Sequence, residues 1–132
     1  MRKSFTSFLI TVLCLTVSTL LTAAPPKQLI THNTTSLESN AYIAGSIPSP
    51  YPTKAHSDGK VFWAEIRMVC FGHLINNKCP ALIQVATNTA EPISIGTLEL
   101  NVNTGIITPS ILHGNGYTLM VNGPGETTLL KD

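Results

Sequence analysis

Residues 61–85 constrain the fold of this chain most strongly, because they combine its longest strand-like pattern with two of its three cysteines. Between residues 61 and 71, alternate positions form two faces, and a period of two is typical of a half-buried strand. The uniformly apolar face is predicted to point into the core. It consists of Phe62, Ala64, Ile66, Met68 and Cys70.

This alternation places Trp63, the single tryptophan of the chain, on the outer face beside Glu65 and Arg67. A tryptophan that is partly exposed on a sheet is often a contact residue, because it offers a large area at low entropic cost. The alternative is that the segment Gln28–His32 or a proline-rich segment covers the indole. Both alternatives remain open from the sequence.

The run ends at Gly72, and residues 81–87 are again strand-like, which indicates two antiparallel strands joined by a loop. We predict that a disulfide between Cys70 and Cys79 closes this loop, since bridges persist in oxidising compartments. A two-residue turn at Asn76–Asn77 competes with the bridge, because it would place Leu74 opposite Cys79. Two buried free thiols are the other alternative.

The first 23 residues have the pattern of an export signal. Arg2 and Lys3 form a positive start, residues 5–21 carry no charge, and Leu21-Thr22-Ala23 ends in a small residue. Cleavage after Ala23 is preferred to cleavage after Ala24, which would put Pro25 directly behind the cut. The prediction is a secreted or periplasmic protein without a membrane anchor after cleavage.

Removal of this segment changes the charge and the cysteine count. Six basic side chains would remain against seven acidic ones, a formal charge of −1 instead of +1. This balance gives no support to nucleic-acid binding. Two cysteines remain, an even number that suits one disulfide. Residues 24–132 are enough for one domain with one core.

The rest of the chain predicts an all-β domain. Short strand-like runs alternate with turn residues, and no stretch after residue 23 carries a sustained helical period. Residues 47–53, with three prolines at alternate positions, are expected to form a stiff crossover between two sheets. The prediction is a single-domain antiparallel β-sandwich or small barrel of about seven to eight strands with one disulfide.

The chemistry-bearing residues do not form a recognisable catalytic motif. The four histidines lack tight metal-ligand spacing, Gly-x-Ser-x-Gly is absent, and no glycine loop precedes a helix. We therefore expect neither an enzyme nor a cofactor or metal. If a metal site exists, the candidate ligands are His56, Asp58, His73 and His113. A metal-dependent or hydrolytic secreted enzyme is the least favoured function.

Two segments near the end of the chain carry a resemblance. His113-Gly-Asn-Gly-Tyr-Thr-Leu119 and Gly123-Pro-Gly-Glu-Thr-Thr-Leu129 resemble the terminal half of the small periplasmic inhibitors of C-type lysozyme. This resemblance implies an exported, β-rich, disulfide-bonded protein that inserts a loop into the active cleft of a hydrolase. The serine of the family's loop is replaced here by His113 or Leu112, and the spacing to Tyr117 differs. These departures affect the residues that would carry inhibition.

The function predicted from the sequence is that of an exported binding protein without catalytic activity. It would contact a macromolecule or glycan through loops at one end of the sandwich, namely residues 71–78, 113–116 and 122–125. An inhibitor of a secreted hydrolase that uses the same loops is the alternative. The candidate binding residues are Trp63, His73, Asn76, Asn77, His113, Asn115 and Tyr117.

Overall fold

The computed structural model describes residues 24–132, which form two five-stranded sheets packed face to face and one short helix. The predicted export signal lies outside the described residues. Within residues 24–132, no helix has the length and apolar character needed to cross a bilayer. The expected all-β sandwich with one disulfide is confirmed, with ten strands because two strands of only two residues are counted.

Each sheet has its own strand order. Sheet 1 contains, in spatial order, β4 (Ser57–Phe62), β1 (Gln28–Asn33), β10 (Glu126–Lys131), β9 (Tyr117–Gly123) and β8 (Ile111–Gly114). Sheet 2 contains β3 (Ile47–Pro48), β2 (Ser39–Ile43), β5 (Lys78–Val85), β6 (Ile93–Asn101) and β7 (Ile107–Thr108). All neighbouring strands are antiparallel except β1 and β10, which are parallel.

Alternation along the strands builds the core between the sheets. On β6, Ile95, Leu98 and Leu100 are buried, and on the facing sheet Leu119 and Leu129 are buried as well. The intervening positions point outward and carry polar residues such as Glu99 and Thr97. This is the pattern that a sheet with one buried face requires.

The predicted strand at residues 61–71 is wrong beyond Phe62, because the helix α1 (Trp63–Cys70) begins there. A helix brings residues three, four and seven positions apart to one face. Trp63, Ile66 and Cys70 are accordingly buried, whereas Phe62 is 69% exposed and Met68 is 75% exposed. Strand alternation therefore assigned Ile66 and Cys70 to the core correctly, but it was wrong for Phe62, Met68 and Trp63.

The chain between residues 107 and 114 is divided between the two sheets. β7 pairs with β6 in sheet 2, and β8 pairs with β9 in sheet 1, with Pro109 in the connection. Proline lacks the N–H that a continuous strand would donate, so the chain can leave one sheet at this residue and join the other.

Residues 47–56 carry the chain from β3 in sheet 2 to β4 in sheet 1. Thr53 pairs with Ser39 through two backbone hydrogen bonds. The buried amide of Asn33 donates to the Lys54 carbonyl at 3.2 Å and to the Leu37 carbonyl at 2.8 Å. These bonds attach the proline-rich segment to both sheets.

The turns lie at two opposite ends of the sandwich. At the disulfide end are the turns of residues 71–77, 102–106 and 122–125, since Val102 N–H donates to the Asn77 carbonyl and Gly125 N–H donates to the Gly105 carbonyl. At the opposite end are residues 34–38, 86–92 and 115–116, where the Asn115 amide donates to the Ser94 carbonyl. β6 runs the whole distance between these two ends.

Candidate functional site at the disulfide end

The disulfide between Cys70 and Cys79 is confirmed, with 5.8 Å between the two Cα atoms. It joins the last residue of α1 to the second residue of β5. Both cysteines are buried, so the bridge anchors the intervening segment to the core. We call residues 71–78 the disulfide loop.

The turn that was expected to compete with the bridge is present together with it. Ile75 and Lys78 exchange two backbone hydrogen bonds, and Asn76 and Asn77 between them have φ values of +53° and +65°. Two central residues with positive φ are typical of a tight turn that reverses the chain. The two features are compatible because Cys70 comes from a helix, so it does not have to lie opposite Cys79 in a ladder.

Large apolar side chains around this turn face solvent. Phe71 is 82% exposed, Ile75 is 64% exposed, and Leu74 is also exposed. Met68 lies on the solvent side of α1, three positions before Phe71. We call Met68, Phe71, Leu74 and Ile75 the apolar surface of the disulfide end. Scattered single apolar residues are common on protein surfaces, whereas four within eight residues make this segment a candidate for an interaction site.

Trp63 is not on the outside of a sheet. Its side chain is only 5% exposed, and its indole N–H donates to the Val102 carbonyl at 2.9 Å. The indole therefore packs in the core and fixes the start of α1 to the turn after β6. The sequence left open whether the indole of Trp63 is exposed or covered. The indole is covered, and the reason is that Trp63 lies on the buried face of α1.

The structure brings together only some of the candidate binding residues. His73, Asn76 and Asn77 lie in the disulfide loop. His113 and Asn115 lie at the opposite end, and Tyr117 is buried there. The turn of residues 122–125 is at the disulfide end, so two of the three predicted loops share one end.

This arrangement also separates the two segments that resemble lysozyme inhibitors. Residues 113–119 form the β8–β9 turn at the opposite end, whereas residues 123–129 begin at the disulfide end. Tyr117 packs in the core instead of standing on a protruding loop. The resemblance thus does not assemble into one contact surface here.

The candidate metal ligands are also distributed. His56 and Asp58 line a shallow polar groove together with His32, but His73 is at the disulfide end. His113 shares a hydrogen bond of 2.8 Å with the Thr118 hydroxyl on the neighbouring strand. In residues 24–132, no group of three or more His, Cys, Asp and Glu side chains is arranged to hold a metal ion.

The sequence pattern did not reveal a charged cluster on the outer face of sheet 1. His32 Nδ1 lies 2.8 Å from Asp58 Oδ1, and His32 Nε2 lies 2.7 Å from Glu126 Oε2. The hydrogen bonds to Glu126 and then to Asp58 raise the pKa of His32 above its ordinary value of 6.5. Because the carboxylates lie on opposite sides of the ring, the cluster connects three neighbouring strands instead of converging on a ligand.

Met68 was missed as a surface residue because the strand pattern assigned it to the core. A helical signal is nevertheless present: Trp63, Ile66 and Cys70 have the spacing of one helix face, and Ala64, Glu65, Arg67 and Met68 are good helix formers. Both periods fit residues 62–71, so periodicity alone does not separate them.

Comparison with known proteins agrees with this architecture of a disulfide-bonded β-sandwich. The family model described as "T2SS substrate NttC" matches residues 1–132. The crystal structure of the Legionella pneumophila type II secretion system substrate NttC superposes with a TM-score of 0.80. The two sequences are 56% identical, over 81% of this chain and 99% of that chain. No curated protein matches. The chain belongs to the NttC family.

Proposed function

We propose that this protein is exported by the type II secretion route and acts as a binding protein without catalytic activity. Its partner is a protein, which it contacts through the apolar surface of the disulfide end. The observation that carries the proposal is the exposure of Phe71 and Ile75 in a loop that the Cys70–Cys79 bridge holds to the core. The family description supports the secretion route.

The disulfide loop has the properties of a pre-organised contact site. A tight turn between Ile75 and Lys78 and a bridge between Cys70 and Cys79 restrict the backbone before any partner binds. Such restriction lowers the entropy that is lost on association. The exposed side chains can then serve as anchors that fill pockets on the partner.

The chemistry of the surface favours a protein partner over a glycan. Met68, Leu74 and Ile75 offer no hydrogen bonds to sugar hydroxyls, and their burial against an apolar surface of a partner gains free energy. Polar residues accompany them, since Asn76 and Asn77 are exposed at the turn. An apolar centre with a polar rim is the usual composition of a protein interface.

His32 is not arranged to act as a general base. A histidine acts as a general base through a ring nitrogen that can reach the substrate proton. Both ring nitrogens of His32 are hydrogen-bonded to carboxylates. His32 is therefore occupied in linking strands, which supports the absence of a catalytic role.

The secretion route is tested in the producing cells. Soluble protein should accumulate outside cells with an intact type II secretion system and remain in the periplasm when the secretion ATPase is inactivated. Its N-terminus should be Ala24 or Pro25 by intact-mass measurement. Equal extracellular amounts in both strains would contradict the route and leave the binding proposal untouched.

Binding is tested with a photo-reactive phenylalanine analogue in place of Phe71. It should cross-link one discrete protein from the extracellular surroundings, whereas the same analogue at Met120, on the outer face of sheet 1, should not. Excess wild-type protein and the control variant Ile111→Ser/Met120→Ser should compete the product away. Phe71→Ser/Ile75→Ser should not compete. Equal competition by both double variants would refute the assignment of this surface.

A further inference from the structure

A cavity of about 110 Å³ lies between the two sheets, away from the apolar surface of the disulfide end. The sheets approach each other closely along β6 and β8, where a Cβ atom on Gly114 would lie 2.0 Å from the Ile95 carbonyl oxygen. Residues of eight strands line the cavity, all except β3 and β8, and Ile66, Val69 and Cys70 of α1 line it too.

The walls of the cavity are mainly apolar. Leu29 and Val61 line it from sheet 1, Ala41 and Ile83 from sheet 2, and Ile66 and Val69 from α1. An engineered apolar cavity of about 150 Å³ stays free of water and binds benzene. A cavity of similar size and character is therefore able to accept a small hydrocarbon group without any separation of the sheets.

The cavity is partly open, and polar residues stand among its lining residues. Asn40, Ser49 and Tyr51 line it, and Tyr51 is exposed to solvent. The Asn40 amide donates to the Ser49 carbonyl at 2.8 Å, which attaches the proline-rich segment to β2. The buried residues Ser39, Thr53 and Thr127 also line the cavity, so its interior is mainly but not wholly apolar. A hydrocarbon end inside would meet mainly apolar walls, and a polar end outside would meet the hydrogen-bonding groups beside the exposed Tyr51.

We propose that this cavity binds the last few carbons of the alkyl chain of a single-chain amphiphile, whose remaining chain and polar head extend outward past Asn40, Ser49 and Tyr51. The ligand class follows from an apolar interior of limited volume joined to an exposed polar rim. The proposal is independent of the partner-binding surface, because none of Met68, Phe71, Leu74 and Ile75 lines the cavity.

The first experiment titrates mature protein by calorimetry, below the critical micelle concentration, with decanoate, with decanoyl lysophosphatidylcholine and with benzene. Saturable binding of decanoate or of the lysolipid supports the proposal. Equal affinities for the two show that the chain alone is recognised, and a preference for either shows that the rim selects the head. Binding of benzene alone, or of none of the three, overturns the proposal.

A matched pair of variants then locates the ligand. Ala81 is buried and lines the cavity, so Ala81→Met should fill it and weaken decanoate binding at least tenfold. Ala64 is exposed on α1, so Ala64→Met should bind decanoate like the wild type. Unchanged affinity in a folded Ala81→Met variant overturns the proposal.

If Ala81→Met fails to fold, methyl NMR of wild-type protein also shows where decanoate binds. Addition of decanoate should shift the methyl signals of Ile66 and Ile83, which line the cavity. The exposed Ile106 and Ile111 should be unaffected. Shifts confined to the exposed isoleucines would place the ligand on the surface and contradict a cavity site.

Discussion

The two ends of the sandwich are organised by different interactions. At the disulfide end, a covalent bond and the buried indole of Trp63 fix the backbone, while Phe71 and Ile75 face solvent. At the opposite end, hydrogen bonds between polar side chains and the backbone connect the sheets, as in the bond from Asn115 to the Ser94 carbonyl.

This difference shows how a small domain can keep apolar side chains at its surface. Apolar groups exposed on a mobile loop would collapse onto the protein or associate unspecifically. The disulfide loop avoids this because its ends are covalently joined and its turn is closed by backbone hydrogen bonds. The opposite end has polar contacts and needs no covalent restraint.

Trp63→Ala should be the most damaging change. It removes a buried aromatic side chain, which typically costs about 3–5 kcal/mol, and leaves the Val102 carbonyl without its indole donor. Phe62→Ala is the matched control, because the neighbouring phenylalanine is 69% exposed. Urea unfolding should show a stability loss for Trp63→Ala only. Equal losses would contradict the helical placement of residues 63–70.

Loss of the disulfide should destabilise the domain by about 2–3 kcal/mol, the chain-entropy value for so short a loop. We expect Cys70→Ala/Cys79→Ala to unfold at lower urea concentration with an unchanged sandwich by circular dichroism. Reduction of wild-type protein is the control and should have a similar effect. The cross-link from position 71 to the partner should weaken in parallel. If the double variant were as stable as the wild type, the bridge would have no stabilising role.

The His32 cluster should make stability depend on pH. The pKa of His32 is raised in the folded protein, so protonation favours folding. Its contribution is fully present below the unfolded-state value near 6.5 and is lost as pH rises through the higher folded-state pKa. His32→Gln should flatten the decline of Tm over this interval. An identical pH profile for wild type and variant would contradict this role of the cluster.

The smallest effects are expected from substitution of two asparagines with positive φ, one at each end of the sandwich. Glycine adopts such backbone readily, so Asn76→Gly in the disulfide loop should leave stability nearly unchanged. Asn115→Gly also removes the hydrogen bond to the Ser94 carbonyl, which should cost about 0.5–1.5 kcal/mol. Thermal unfolding of the two variants measures the difference. A larger loss of stability in Asn76→Gly than in Asn115→Gly would contradict the assignment of the polar contacts to the opposite end.

The local chemistry of several elements was sufficient to predict them. The pairing of Cys70 with Cys79 followed from an even cysteine count after removal of the export signal. Asn76 and Asn77 have the chemistry of turn residues that tolerate positive φ, but the expectation that their tight turn competes with the bridge was wrong. Regular alternation on β6 separates Leu98 and Leu100, which are buried, from Thr97 and Glu99, which are exposed. The sequence therefore pointed to the disulfide loop as part of the proposed contact surface, but it did not reveal that the exposed side chains there are apolar.

Other features depend on parts of the chain that are distant in sequence. His32, Asp58 and Glu126 meet only because β1 lies between β4 and β10. The separation of His113 from the disulfide loop depends on how the two sheets stack. The sequence around His32 therefore gives no sign of its partners. The position of His113 is equally hidden, because turn residues look alike at both ends of a sandwich.

The sequence alone does not determine the secondary structure of residues 62–71. Their composition required a half-buried element, but it fits both a period of two and a helical period. The tertiary structure selects the helix, because this conformation buries Trp63 against the turn after β6, gives its indole N–H the Val102 carbonyl and brings Cys70 to Cys79. Segment type, buried face and exposed apolar residues all follow from that choice, which only long-range contacts decide.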